Sequence, residues 1–510
     1  MEMKTIKKLM FAVAAAILAV VIFFCFARER AFCMGVPIIS QAESERFTQF
    51  EEQDLNNRIL HMDVPVAIDN ASRTIYIAQD IDKETYYTEL DGVLTETEGK
   101  KMYFVRDGGF ENFVQAVAEG HRFRLIIDLQ QGTYMEYGVV FTDLPVIRIA
   151  GLKTGVDEED RSIYSGEIIV WDPLYESSGK YSVQTSLLDW HRRGSSTLGD
   201  AKKSWKLSLK KEDGTNNDLE FIGLEKGDDD WILNAIYRDD TKIREKMAMD
   251  LWNTYLAQEE YNYKMSQGKY AEVVCNGQYC GLYLLQRRID RKYLELDENQ
   301  FLAKGIKAAD GLPLEEYFDI IGSETAPDKV WDVLENINKR ENGRYINLDN
   351  WKDVSLLIDF GYMPDNAGKK NVYFVISESD GEFEAREILW DTDFSFGVNY
   401  ASGFVHRPEK TVNARRYRHD AVAADHPDLD RMMAERWFEM RSEFLTAENV
   451  FRIIDQNYEK INACGAKTRD EQQWGRYYDD SDDSIDVMKK FIEERLEFLD
   501  AEHSKNITQQ

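Results

Sequence analysis

The hydrophobic pattern changes character several times along the chain. Leu9 to Ala27 is an unbroken apolar run behind Lys4, Lys7 and Lys8. Its length suits one bilayer-spanning helix at about 1.5 Å per residue. Basic residues ahead of the run favour a cytoplasmic N-terminus. Residues 1–30 are therefore expected to be an uncleaved signal anchor with the bulk of the chain extracytoplasmic, and 31–60 a polar stalk. Cleavage after Ala27 is the alternative. From 61 to 180, VPVAI, TIYIA, KMYFV, FRLIIDL, YGVVF and PVIRIAG alternate or run apolar between turn residues, which predicts a small β-rich domain, a sandwich. From 181 to 300, the strands SVQTSLL, SWKLSLK, EVVCNG and QYCGLYLL surround a helix, Lys242 to Leu256. Thr241 is placed to cap it, and Ile243, Met247, Leu251 and Trp252 form its apolar face. From 301 to 510 the period becomes helical, over 329–340, 351–360, 428–444, 447–461 and 484–502. One hairpin, Val372–Ile376 with Ile388–Asp391, interrupts it. The expected class is α+β.

Composition narrows the partners. The chain has 510 residues, 43% apolar, enough for two or three cores. A formal charge of -30 argues against binding nucleic-acid backbone, and suits basic partners or plain solubility. Five Cys do not make a disulfide scaffold. Cys275 and Cys280 flank the hairpin turn Asn276-Gly277, which would pair Cys275 with Gln278 and Val273 with Cys280. Such diagonal cysteines lie about 7–8 Å apart, near the limit for a bridge, so two thiols are expected. The seven His show no zinc spacing, and no Gly-x-Ser-x-Gly or Walker sequence occurs.

The candidate chemistry lies between Asp365 and Gly397, in DNAGKKNVYF and ILWDTDFSFG. Phosphoryl transfer uses an Asp to orient a hydroxyl, and an Asn with a second Asp to hold Mg²⁺ on nucleotide phosphates. Asp365, Asn371 and Asp391 stand in that order. In a strand, Asp391 and Asp393 would share a face, and two such carboxylates repel unless a cation lies between them.

Two upstream segments can supply phosphate contacts. In HRRGSSTLGDAKKSWKLSLK, Gly194, Ser195 and Ser196 make a small-residue turn before a strand carrying Lys202, Lys203 and Lys206. Small residues let backbone N–H groups approach phosphate, and a strand Lys can reach the phosphates. In YRDDTKIREKMAMDLW, Glu245 can pair with such a Lys, and Asp240 with Arg244 can clamp the helix start.

These pieces together resemble the CotH kinase family, the spore-coat-protein-H-like atypical protein kinases of bacteria. The resemblance spans roughly residues 120 to 503 and runs in order through LPVIRI, RRGSSTLGDAKKSWKLSL, YRDDTKIREKMAMDLW, EVVCNGQYCGLYLLQRRID, PDNAGKKNVYF, WDTDFSFG and RWFEMRSEFLT. It implies a two-lobed kinase-like domain, with an antiparallel sheet as small lobe and a helical large lobe. It implies ATP and Mg²⁺ or Mn²⁺ as cofactors, and Ser/Thr of surface or spore-coat proteins as acceptors. By motif, Asp365 would be the catalytic Asp, and Asn371 and Asp391 metal ligands with Asp393 beside them. Arg193 to Ser196 would cover the phosphates, and Lys203 or Lys206 would be the nucleotide lysine. Arg287 departs from the family, which usually has an acidic residue there, at a position expected near adenine. The alternative function is a non-catalytic, membrane-anchored surface protein on a degenerate kinase fold.

Overall fold

The structure, a computed structural model, describes residues 31–507 except 83, 107–111, 157–161, 174–181, 225–226, 308–310, 323–325, 340–342, 400–402, 405–406, 411–412 and 479–483. The expected anchor, 1–30, lies outside the described residues. Among the described residues no helix is long and apolar enough to cross a membrane. The chain forms two compact units, Met1–Val117 with His121–Phe141, and Ala118–Gly120 with Thr142–Gln510. The class is α+β, with ten α-helices and several sheets among the described residues.

The first unit is built on an eight-stranded sheet and a small three-stranded one. Alternation along Phe123–Gln130 and Thr133–Thr142 buries Leu125, Ile127, Val139 and Phe141. Tyr87 stacks on Phe123 with ring centres 5.0 Å apart. The expected stalk belongs to this unit. Val36–Ser40 adds to the sheet parallel to Lys101–Arg106, and Cys33, Val36, Phe47, Leu55 and Ile59 are buried. The apolar residues crowd into 31–39 and thin out over 40–58, so the segment taken as a whole looks polar.

The second unit begins with a closed barrel. Its strands are β1 (Val146–Val156), β2 (Ser162–Asp172), β3 (Ser182–Arg193), β4 (Ser204–Lys210), β5 (Asp230–Asn234), β6 (Gly268–Cys275) and β7 (Gln278–Arg287). The order is β1-β2-β3-β4-β5-β7-β6, closed by parallel pairing of β6 with β1 from Val146↔Glu272 to Ile149↔Cys275. The boundary expected at 180 therefore falls instead after Phe141, because β1 and β2 continue the register of β3. Period-two alternation sends Ile147, Leu188, Trp190, Leu207, Trp231, Leu233, Tyr283 and Leu285 into the barrel. Arg193, Lys206, Ile232, Asn234, Leu284 and Gln286 consequently share its outer face. Against Ile232 and Leu284 packs helix α1 (Arg244–Tyr255), through Met247, Leu251 and Trp252.

The Asn276-Gly277 turn has φ of 49° and 73°, as a tight hairpin needs. Beyond Val274↔Tyr279 the register shifts, so Val273 faces Gly281 rather than Cys280. Cys275 and Cys280 form no disulfide with each other. Their mutual hydrogen bond and burial push the Cys275 thiol up.

After residue 300, where mostly helix is expected, a second sheet forms. It comprises β8 (Gln300–Gly305), β9 (Phe318–Ile321), β10 (Val372–Ser379) and β11 (Glu382–Leu389), in the order β9-β8-β10-β11. It shares one apolar core with α1 and with α2 (Asp328–Lys339), α3 (Leu348–Gly361), α4 (Leu429–Glu443), α5 (Ala447–Asn462) and α7 (Ile485–Ile507). A short helix between α5 and α7, α6 (Ala466–Trp474), lies against β7.

Lys202 Nζ is 2.6 Å from Asp470 of α6, and Lys242 Nζ is 3.5 Å from the same carboxylate. All three side chains are buried. Burial, partly offset by Asp470, lowers Lys202 to about 8. Removing one partner of a buried ion pair costs about 3–5 kcal/mol, so Asp470→Ala should destabilise the protein by that order in denaturant unfolding. Lys307→Ala, at an exposed pair with Glu316, should cost no more than about 1 kcal/mol.

Candidate active site

The acidic side of the site is assembled by a turn and a hairpin. Pro364–Asn366 is one 3-10 turn. Buried Asn366 donates to the carbonyls of Trp390 (2.7 Å) and Asn371 (3.3 Å), fixing the turn to both strands of the hairpin. Gly305 of β8 lets the same loop approach, since a Cβ there would sit 1.6 Å from the Lys369 carbonyl oxygen. Asn371 N–H then donates to the Gly305 carbonyl at 3.1 Å. Asn371 Nδ2 donates to Asp365 Oδ2 at 2.8 Å, and Lys370 Nζ lies 3.2 Å from the same oxygen.

Asp391 and Asp393 follow β11 rather than lying in it. Asp391 has φ 58° and Asn371 φ 59°, conformations that Asp and Asn tolerate best. The shared-face argument for a strand does not hold, yet the two carboxylates are electrostatic neighbours. Burial first, then Asp391, Glu245, Asp239 and Asp365, push the Asp393 carboxyl well above the usual carboxylate range.

Glu245 reaches this group from the first turn of α1. It accepts from Asn234 Nδ2 at 3.0 Å and Gln286 Nε2 at 3.4 Å on the barrel's outer face. Burial and then Asp391 push it up to about 8, with Arg193 opposing. Among the described residues Glu245 has no lysine partner, and both candidates are engaged elsewhere. Lys203 Nζ donates to the carbonyls of Leu198, at 2.7 Å, and Asp200. Lys206 pairs with Asp230 at 3.0 Å, which also holds Arg288 at 2.8 Å.

The small-residue turn is held from outside. Gly194 has φ 105°, and a Cβ there would lie 2.0 Å from Thr197 Oγ1. Ser195 and Ser196 are exposed. Arg238 binds Asp200 with both contacts at 2.8 Å and donates to the Ser196 carbonyl at 3.1 Å. It also feels Asp393, which links the turn to the acidic group. At the end of β3, the Arg193 guanidinium lies 5.4 Å from the centre of the Trp390 ring.

The remaining expectations shift by one residue or one face. The helix clamp is Asp239, not Asp240: it accepts from Arg244 N–H at 2.8 Å and pairs with the guanidinium. Thr241 bonds Asp239 instead of capping the helix, and Asp240 accepts from the Tyr477 and Tyr478 backbones. Arg287 does not face the site. It points into the barrel beside Trp231 and pairs with buried Asp228 at 3.0 Å, while Gln286 takes the outer face. A residue that sequence reading missed is Lys304, whose ammonium lies 5.3 Å and 5.5 Å from the Tyr373 and Trp390 ring centres. A Lys inside the short apolar strand FLAKG was its only signal.

The donor set fits a hard divalent cation, being carboxylate and amide oxygens. Asn371, Asp391 and Asp393 are the residues that would hold it. Among the described residues, three carboxylates within reach of one shared ion occur at Asp218, Asp228 and Asp229. There Lys292 and Arg287 already balance the charge.

A sequence model of the family described as CotH kinase protein matches residues 191–499. The chain belongs to the CotH kinase family. No curated protein matches it. The CotH match starts inside β3, so β1 and β2, through which the barrel closes, lie upstream of it.

Two outcomes follow. A fragment of residues 142–510 should unfold cooperatively, whereas 191–510, which lacks the closing strands, should show no cooperative transition by circular dichroism. In metal-free protein, a raised carboxyl pKa means stability is full below the ordinary value of 4.5 and falls as pH rises to about 8. Glu245→Gln should therefore gain thermal midpoint over wild type across that window and level off above it. A difference independent of pH would contradict the burial of a protonated Glu245.

Proposed function

We propose that this CotH family member is a metal-dependent phosphotransferase that moves the γ-phosphate of ATP to Ser or Thr of a surface or spore-coat protein. The observation that carries the proposal is the Asp365–Asn371 hydrogen bond set beside Asp391, Asp393 and Glu245, carboxyls that repel one another without a cation. Mg²⁺ or Mn²⁺, when bound, supplies charge neutralisation on the transferring phosphate. Asp365 then orients the acceptor hydroxyl and takes its proton, while Asn371 Nδ2 keeps Oδ2 of Asp365 in place. Asn371, Asp391 and Asp393 are the proposed metal ligands. The Arg193, Gly194, Ser195 and Ser196 turn is the proposed phosphate cover. In this reading the barrel serves as the small lobe, and the second sheet with its helices as the large lobe. The net charge of -30 supports a basic or Ser-rich acceptor. The apolar run at 9–27 supports single-pass membrane attachment with an extracytoplasmic domain.

A non-catalytic surface protein is the second reading, favoured by one observation: Lys203 and Lys206 are both committed elsewhere. Thermal stabilisation by nucleotide separates the two. At one hundred times Kd, Mg·ATP or Mn·ATP should add about 2.7 kcal/mol. Asp365→Ala should keep this stabilisation and Asp391→Ala should lose it. Both should lower transfer of labelled γ-phosphate by about 10² or more. Wild-type transfer in either variant, or no shift with any nucleotide and metal, would sink the phosphotransferase proposal.

A further inference from the structure

Among the described residues, two cations beside Trp390 have side chains with neither an ion pair nor a hydrogen bond: Arg193 and Lys304. Their neighbours are committed. Lys206 and Arg288 share Asp230, Arg238 holds Asp200, and Lys370 holds Asp365. Arg193 comes from the end of β3 and Lys304 from β8, so barrel and second sheet each deliver one positive charge to the same indole. Both side chains are only partly exposed. An aromatic face attracts a cation but carries no net charge to balance one. Burial lowers Lys304 to about 8, Arg193 adds to the effect, and Asp391 opposes it. The two cations therefore repel in a partly dry setting, and their acidic neighbours, Asp391 and Asp319 for Lys304 and Glu245 for Arg193, act on them without a direct ion pair. Trp390 directly precedes Asp391, which puts the two cations next to the acidic group.

We propose that Arg193 and Lys304 form a polyphosphate site, and that Lys304 fills the nucleotide-lysine role expected of Lys203 or Lys206. Guanidinium and ammonium groups both form charge-assisted hydrogen bonds with phosphate oxygens. An anion between them relieves their repulsion while Trp390 fixes the approach of both. The second half of the proposal rests on the phosphotransferase reading. The first half, an anion site, stands on the two cations alone.

The test is calorimetric titration of the full-length chain with tripolyphosphate, Mg·ATP and adenosine. Wild type should bind the first two. Lys304→Gln and Arg193→Gln should each weaken both by about tenfold or more, leave adenosine unchanged, and Lys304→Arg should restore binding. Lys329→Gln, at a solvent-exposed lysine, should match wild type. If Lys304→Gln binds as wild type while ATP-dependent transfer persists, the Lys304 assignment is overturned and the phosphotransferase reading survives. If wild type binds tripolyphosphate but neither binds ATP nor transfers phosphate, the anion site stands and the phosphotransferase reading falls. If wild type binds none of them, both are overturned. Should Lys304→Gln fail to fold by circular dichroism, Arg193→Gln, at a strand end, decides.

Discussion

Repulsion within one small group of carboxyls governs the architecture around the site. Asp239, Glu245, Asp365 and Asp391 all act on Asp393. Bringing acids together in a partly dry place is unfavourable, and the surrounding structure limits the damage unequally. Asp239 is neutralised outright by Arg244, and Asp365 has Lys370 and the Asn371 amide. Glu245 has only neutral amides as hydrogen-bond partners, and Asp393 has its own backbone contact at Phe394. Glu245 and Asp393, which lack a direct ion pair, are the two members whose carboxyls are pushed up. The balanced ones hold the scaffold.

Rigid elements, not loops alone, keep these charges in place. The closed barrel presents Asn234 and Gln286 on its outer face as fixed donors to Glu245. Arg244 ties the start of α1 to the Ser395 carbonyl, so the helix carrying Glu245 is joined to the segment carrying Asp393. Asn366 performs the same service between turn and hairpin. The Arg244 and Asn366 links are each a single side chain reaching backbone, a geometry that specifies position more tightly than packing alone.

The strands and most helices were legible because alternation and helical periodicity survive in the sequence wherever one face is buried. The hairpin was legible for the same reason, whereas Asp365, Asn371 and Asp391 stood out by residue type and order. What escaped depended on partners far away in sequence. Nothing local distinguishes PVIRIAG as a barrel strand from the strands before it, since its decisive neighbour is β6. In β7 both faces are apolar, with Leu282 and Leu284 outward and Tyr283 and Leu285 inward. Which of Gln286 and Arg287 meets the site is therefore undetermined until the barrel closes. Asp239 and Asp240 differ only by one step of a turn, yet one grips Arg244 and the other the Tyr477 backbone. Lys304 escaped because its strand is short and its partners, Trp390 and Arg193, lie far along the chain.

The buried Asp470 has a consequence for how such sequences can recombine. It accepts from the Leu282 backbone at 2.9 Å as well as binding Lys202 and Lys242. Gly281 leaves room for it, since a Cβ there would lie 2.2 Å from its carboxylate. Five positions from four distant stretches, Lys202, Lys242, Gly281 with Leu282, and Asp470, therefore form one inheritable unit. A chimera that joins this barrel to the C-terminal helices of a relative loses about 3–5 kcal/mol of stability unless the donor brings an acid at that place.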